Sequence, residues 1–150
     1  MLTFLMLYFI VKILRSLVLK NVEAFFDKHI FKTPIRAILF GVLLTIAVQS
    51  SSITTSTVVP LAAAGVLSLR QIFPFTLGAN IGTTATAIMA ALTLNSYALV
   101  AAFSHLLFNI IGILSVYPFK VMRNIPLKLA EKMADLAADN KMVPIIYLLI

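Results

Sequence analysis

Cysteine is absent from the chain, which excludes disulfide bonds and thiolate metal sites. Acidic residues are scarce, five in 150. None of them lies between Ala37 and Phe119, where the one charged residue is Arg70. That shortage bears on catalysis. A nucleophilic hydrolase pairs its serine with a base and often with an orienting acid. His105 is the single histidine of the apolar region and no carboxylate accompanies it. The constellation of an intramembrane serine hydrolase is therefore missing, and the reading is of a protein that is not an enzyme.

Apolar residues are abundant. They make up 61% of the chain, with 11% charged and a mean hydropathy of +1.07. A soluble domain is about 45–50% apolar and about 25% charged. A chain this short keeps much of its surface exposed, so lipid must be part of its solvent. The net charge of +7 does not point to nucleic acid. The basic residues other than Arg70 fall in two groups, residues 12–36 and 120–141, beside apolar segments and with little aromatic interleaving. That is the positive-inside pattern of a membrane protein.

A hydrocarbon core of about 30 Å takes about 20 helical residues to cross. Residues 2–19 can span. Their charges follow the apolar run and no small-residue cleavage site comes next, so a first membrane helix fits better than a signal peptide. Pro34 suits the first turn of the next helix. Residues 37–48 are apolar but short, and they end in the polar run Gln49-Ser50-Ser51-Ser52-Ile53-Thr54-Thr55-Ser56-Thr57. Residues 58–67 are apolar again and end near Arg70. Residues 72–94 are long enough to span, yet Gly78-Ala79-Asn80-Ile81-Gly82-Thr83-Thr84 is expected to interrupt them. Residues 97–119 form a full span. Residues 120–140 carry Met122, Ile125, Leu129, Met133 and Leu136 at helical spacing, the pattern of a helix lying on the membrane surface. A further apolar segment opens at 143, as expected of a piece of a longer protein.

Charge tests the topology. One full crossing by residues 37–67 would put Arg36 and Arg70 on opposite sides. It would also put Lys120 and Arg123 opposite the first basic group. A re-entrant hairpin entering and leaving from one face keeps all of them on one side, the cytoplasmic one. The expected architecture is all-α and polytopic: a first helix and basic segment over 1–33, a repeat over 34–119 with a re-entrant helical hairpin and a discontinuous transmembrane helix, and a surface helix with the start of another span over 120–150. Non-helical backbone at membrane depth is tolerated only inside protein or along a wet cavity. Both irregular segments are rich in hydroxyls and glycine, so together they predict a polar site near the midplane, as in secondary transporters.

The chemistry follows from the residue types. Neutral oxygens of Gln, Ser and Thr can replace water around a sodium ion. The carbonyl end of an arriving helix favours that cation, and the N–H end of a departing helix favours an anion. Packing through small polar residues is the blander account, but a run this dense favours a site. Gly78 and Gly82 also fit the Gly-x-x-x-Gly pattern of close helix packing, a weak signal alone. Thr83 and Thr86, three apart, share a face if the helix resumes there. His105 and Asn109 share a helical face, and there the bland reading, interhelical hydrogen bonding, is favoured over substrate contact.

Gln49-Ser50-Ser51-Ser52, the run Thr76-Leu77-Gly78-Ala79-Asn80-Ile81-Gly82-Thr83-Thr84-Ala85-Thr86-Ala87, and His105-Leu106-Leu107-Phe108-Asn109 with Tyr117-Pro118 resemble the type II sodium-dependent phosphate cotransporter family. The order and spacing look most like its second repeat, over residues 34–150. The resemblance implies two inverted repeats, of which one is present here. It implies sodium ligation by Gln49, Ser50, Thr83 and Thr86, and phosphate contact around Ser50, Ser51 and Ser52, with Asn80 and Thr84 as further candidates. The implied activity is sodium-coupled phosphate symport at the plasma membrane, in a multi-pass protein with no cofactor beyond the coupling ion. Its implied partners are lipid and either the missing first repeat or a second copy. A channel, a homodimeric half-transporter for another anion and a non-transporting membrane subunit are the alternatives.

Overall fold

The computed structural model describes residues 30–140, with residues 6, 9, 142 and 143. The membrane helix expected over 2–19 and the further span opening at 143 lie almost wholly outside the described residues, as does most of the first basic segment. Every regular element among the described residues is helical: α1 Pro34–Val48, α2 Ser51–Ala63, α3 Leu69–Ala91, α4 Ser96–Val116 and α5 Lys120–Asp139. The chain divides into two compact units, Met1–Ile111 and Gly112–Ile150.

In the first unit, α1 starts where local chemistry dictates. The Thr33 hydroxyl accepts from the Arg36 N–H at 3.4 Å, and Pro34 supplies a preset φ at the first helical position. α1 ends at Gln49, which takes the left-handed conformation with φ 60° and donates its N–H to Thr45. Ser50 is extended and caps α2 by accepting from Ile53 N–H at 3.3 Å. Two residues thus reverse the chain. At 1.5 Å per residue, α1 is about 22 Å long and α2 about 20 Å, both short of a bilayer core. α2 closes on Gly65, with φ 79°. There Gly65 N–H donates to Ala62 and Val66 N–H to Leu61, the paired bonds of a Schellman stop. α3 opens on a capping box, in which the Gln71 side chain accepts from Ser68 N–H at 2.9 Å.

α1 and α3 pack in parallel with their backbones in near contact. A Cβ on Gly41 would strike the Phe75 carbonyl, and one on Gly78 the Ile38 carbonyl. On Gly82 it would lie 2.6 Å from Thr45 Cβ. Ile38 therefore sits by Gly78 and Thr45 by Gly82, which fixes the shared direction. Arg36 and Arg70, near the starts of α1 and α3, fall at the same end. Phe75 is fully buried and meets Phe31 and Phe40 at ring-centroid distances of 6.0 and 5.9 Å. α4 turns back antiparallel to α3 after Asn95, whose side chain accepts from Ala98 N–H at 2.9 Å. Among the described residues α4 is the one helix long and apolar enough to cross a membrane, with mean hydropathy 2.1 and little of it buried. Val100, Phe103, Leu107 and Phe108 are all exposed.

One expectation is corrected. α3 runs unbroken from Leu69 to Ala91, so the discontinuity expected at residues 78–84 is not there. Its glycines serve close approach to α1. The hydroxyls of Thr83, Thr84 and Thr86 donate to the carbonyls of Ala79, Ile81 and Thr83, so the oxygen-rich run bonds to its own helix without unwinding it. The Gly-x-x-x-Gly pattern was the better guide.

In the second unit, the Arg123 guanidinium lies 5.5 Å from the centre of the Tyr117 ring. On α5, Met122, Ile125, Leu129, Met133 and Leu136 are exposed, whereas Leu127, on the far side of the helix, is buried.

Candidate functional site

The polar segments converge at the hairpin tip. A pocket of about 270 Å³ is lined by Ser51 from α2, Asn80 and Thr83 from α3, and His105 and Asn109 from α4. Three elements thus meet in the neighbourhood where α1 ends and α2 begins. The last carbonyls of α1 and the first N–H groups of α2 have no partners within their own helices. Their partial charges favour a cation and an anion respectively. Ser51 and Ser52 occupy the first two helical positions, so their N–H groups belong to that unpaired set.

Of the residues expected at the site, the structure brings Ser51, Asn80 and Thr83 into one pocket. Gln49, exposed, and Ser50, half-buried, form the turn itself. Ser52 stands exposed on the first turn of α2. Thr86 lies one turn beyond Thr83, and its hydroxyl donates to the Thr83 carbonyl at 2.8 Å. Thr84 is fully buried, its hydroxyl donating to Ile81 at 2.7 Å. Neither Thr84 nor Thr86 lines the pocket. A threonine that donates its proton to its own helix still presents oxygen lone pairs, the form a sodium ion uses. Thr83 is of this kind, donating to Ala79 at 3.1 Å.

Asn109 Nδ2 donates to the Asn80 carbonyl at 3.5 Å, the interhelical bond that the bland reading gave to this pair. His105 makes no such bond among the described residues and lines the pocket beside it. Sequence reasoning also missed Thr45, hidden inside an apolar run. Thr45 and Thr54 are fully buried, and their hydroxyl oxygens have no hydrogen-bond partner among the described residues. Thr45 stands four residues before Gln49 and Thr54 four after Ser50, one turn to either side of the tip. Most other threonines here bond back to their own helix, so these two are the exception. The symmetry of the run about Gln49-Ser50 was the available signal.

Comparison with known proteins places the chain in a family. The family model described as Na+/Pi-cotransporter matches residues 4–125. The chain is 40% identical over 158 residues to sodium-dependent phosphate transport protein 2B of Bos taurus, covering 96% of this chain and 22% of the relative. It is 44% identical over 118 residues to protein 2C of Rattus norvegicus, covering 76% of this chain and 20% of the relative. To protein 2A of Ovis aries it is 39% identical over 157 residues, covering 96% of this chain and 24% of the relative. The chain therefore spans a fifth to a quarter of the length of these relatives. No solved structure matches it.

Proposed function

The chain belongs to the Na+/Pi-cotransporter family, and on that premise we propose that its protein carries inorganic phosphate across the plasma membrane by symport with sodium. This chain supplies one inverted-repeat half of a multi-pass carrier, and the other half comes from a first repeat or a second copy. The observation that carries the reading is the meeting of Ser51 with Asn80 and Thr83. Two signature segments far apart in sequence share one polar pocket at a helix-reversing tip.

Gln49, Ser50, Thr83 and Thr86 hold sodium through neutral oxygens, near the carbonyl end of α1. Ser50, Ser51 and Ser52 hold phosphate at the N–H end of α2, with Asn80 facing them. Thr84, its hydroxyl committed to Ile81, acts from behind the pocket by holding the α3 backbone. The hairpin is re-entrant. Its two arms are too short to cross, and the parallel run of α1 and α3 supports a return to the face of entry. The tip then stops at mid-depth, where secondary transporters bind their cargo. α5 rests on the bilayer surface with its apolar stripe in lipid. The protein performs no covalent chemistry. It exposes one site alternately to each side.

Labelled-phosphate uptake into proteoliposomes, with and without a sodium gradient, tests the proposal. Wild-type uptake is expected to require sodium and to vanish in the double variant Gln49→Ala, Ser50→Ala. Uptake indifferent to sodium in both proteins would sink the mechanism.

A further inference from the structure

His105 stands where two cavities meet. It lines the polar pocket with Ser51, Asn80, Thr83 and Asn109. It also closes one end of a groove of about 430 Å³ between α3 and α4. The groove walls are alanines, Ala87, Ala90 and Ala91 on α3 facing Ala98, Ala101 and Ala102 on α4, and Leu94 marks its other end beside the turn. Side chains this small keep the space between the helices open as far as the imidazole.

The donors already committed in the pocket narrow the choice. The Asn109 amide is directed to the Asn80 carbonyl, and the Thr83 hydroxyl to Ala79. The Ser51 hydroxyl, the Asn80 amide and the His105 ring N–H remain without partners among the described residues. An anion entering the pocket needs donors, and no lysine or arginine lines it among the described residues. Arg70 is the one cationic side chain between Ala37 and Phe119. It lies ten residues before Asn80 on the same helix, about 15 Å along the axis. Among the described residues, His105 is the only ionisable one lining the pocket. A polar ring on a helix whose other faces carry Val100, Phe103, Leu107 and Phe108 is costly in lipid, unless a polar cavity receives it.

Resting on the phosphate reading above, we propose that His105 is a phosphate-contacting residue, its ring N–H donating to the anion across the pocket from Ser51. Asn109 is the glue between α3 and α4, and His105 is the contact. The alanine groove is the way in from the turn end.

Two measurements test this, both on the protein at its natural length. In proteoliposome uptake, His105→Ala is expected to raise KM for phosphate about tenfold, the loss of about 1.4 kcal/mol of binding. The sodium concentration for half-maximal uptake should stay put, and His105→Gln, which restores an N–H donor, should recover most of the KM. An unchanged phosphate KM in His105→Ala would overturn the assignment. So would equal losses of maximal rate in both variants with no change in KM. Cysteine protection, with any cysteines outside this cysteine-free chain replaced by serine, separates the His105 contact from the phosphate pocket. Phosphate with sodium should slow thiol modification of both Ser51→Cys and His105→Cys. Protection of Ser51→Cys alone would reject the His105 contact and leave the phosphate pocket standing. Protection of neither would reject the phosphate reading itself.

Discussion

At the scale of single residues, the glycines divide by what surrounds them. A Cβ on Gly78 would enter the Ile38 backbone, which cannot yield as a flexible side chain would, whereas one on Gly112 meets nothing within 4 Å among the described residues. Gly78→Ala is therefore expected to destabilise the fold by about 1–3 kcal/mol, the usual cost of overpacking. Gly112→Ala should be neutral or gain up to about 1 kcal/mol from helix propensity. Thermal unfolding in detergent decides it, and equal midpoints for the two variants would refute the close-packing account. Gln49 carries a different strain. A left-handed conformation at a residue with a Cβ costs roughly 1–2 kcal/mol, and Gln49 is the one non-glycine among the described residues that adopts it. Gln49→Gly should raise the unfolding midpoint while abolishing sodium activation of uptake. Loss of stability together with activity would show that the amide holds the turn and not the ion. His105 and Thr45 mark the limit of what single residues disclose in the sequence. A histidine four before an asparagine reads equally as glue or contact, and only the partner of each side chain separates them. Thr45 looks like one more member of an apolar run until the facing glycine of another helix is known.

At the scale of elements, the chain reversal between α1 and α2 was legible because its signals are local. Pro34 at the start of α1 and the polar break at Gln49-Ser50 are chemistry within a few residues, whereas the Thr33 cap and the glycine stop at Gly65 emerged only with the structure. The course of α3 was misjudged because Gly78 and Gly82 carry two meanings. Glycine permits a break, and glycine also permits a neighbour. The neighbour, α1, lies nearly forty residues upstream, so no local pattern announces it. The spacing of α5 was read correctly as a helix with one apolar face, which the described residues leave uncovered. The chain holds no tryptophan, so in this chain a single introduced one can report depth. Leu129→Trp should give blue-shifted emission that brominated lipids quench, while Glu131→Trp, on the opposite face, should stay unquenched. Equal quenching of the two would remove α5 from the bilayer surface.

At the scale of the whole molecule, the question is which side each turn faces. The parallel course of α1 and α3 groups Arg36 with Arg70, away from the turn at Asn95. In sealed vesicles, a membrane-impermeant thiol reagent should modify Arg36→Cys and Arg70→Cys from one side and Asn95→Cys from the other. Opposite-side labelling of the two arginine positions would turn the hairpin into a full crossing and end the re-entrant proposal. The glycine packing has one more consequence. α1 and α3 are pressed together backbone to backbone, so the hairpin tip travels with α3 as a single plate. Among the described residues, α4 is joined to that plate in the pocket by one hydrogen bond, from Asn109 to Asn80. The pocket is thus less a hole in the protein than a seam between two pieces, with Ser51, Asn80 and Thr83 stitched to one and His105 and Asn109 to the other. Opening the seam breaks that single stitch and leaves every glycine contact intact, and an anion held from both sides would draw it shut.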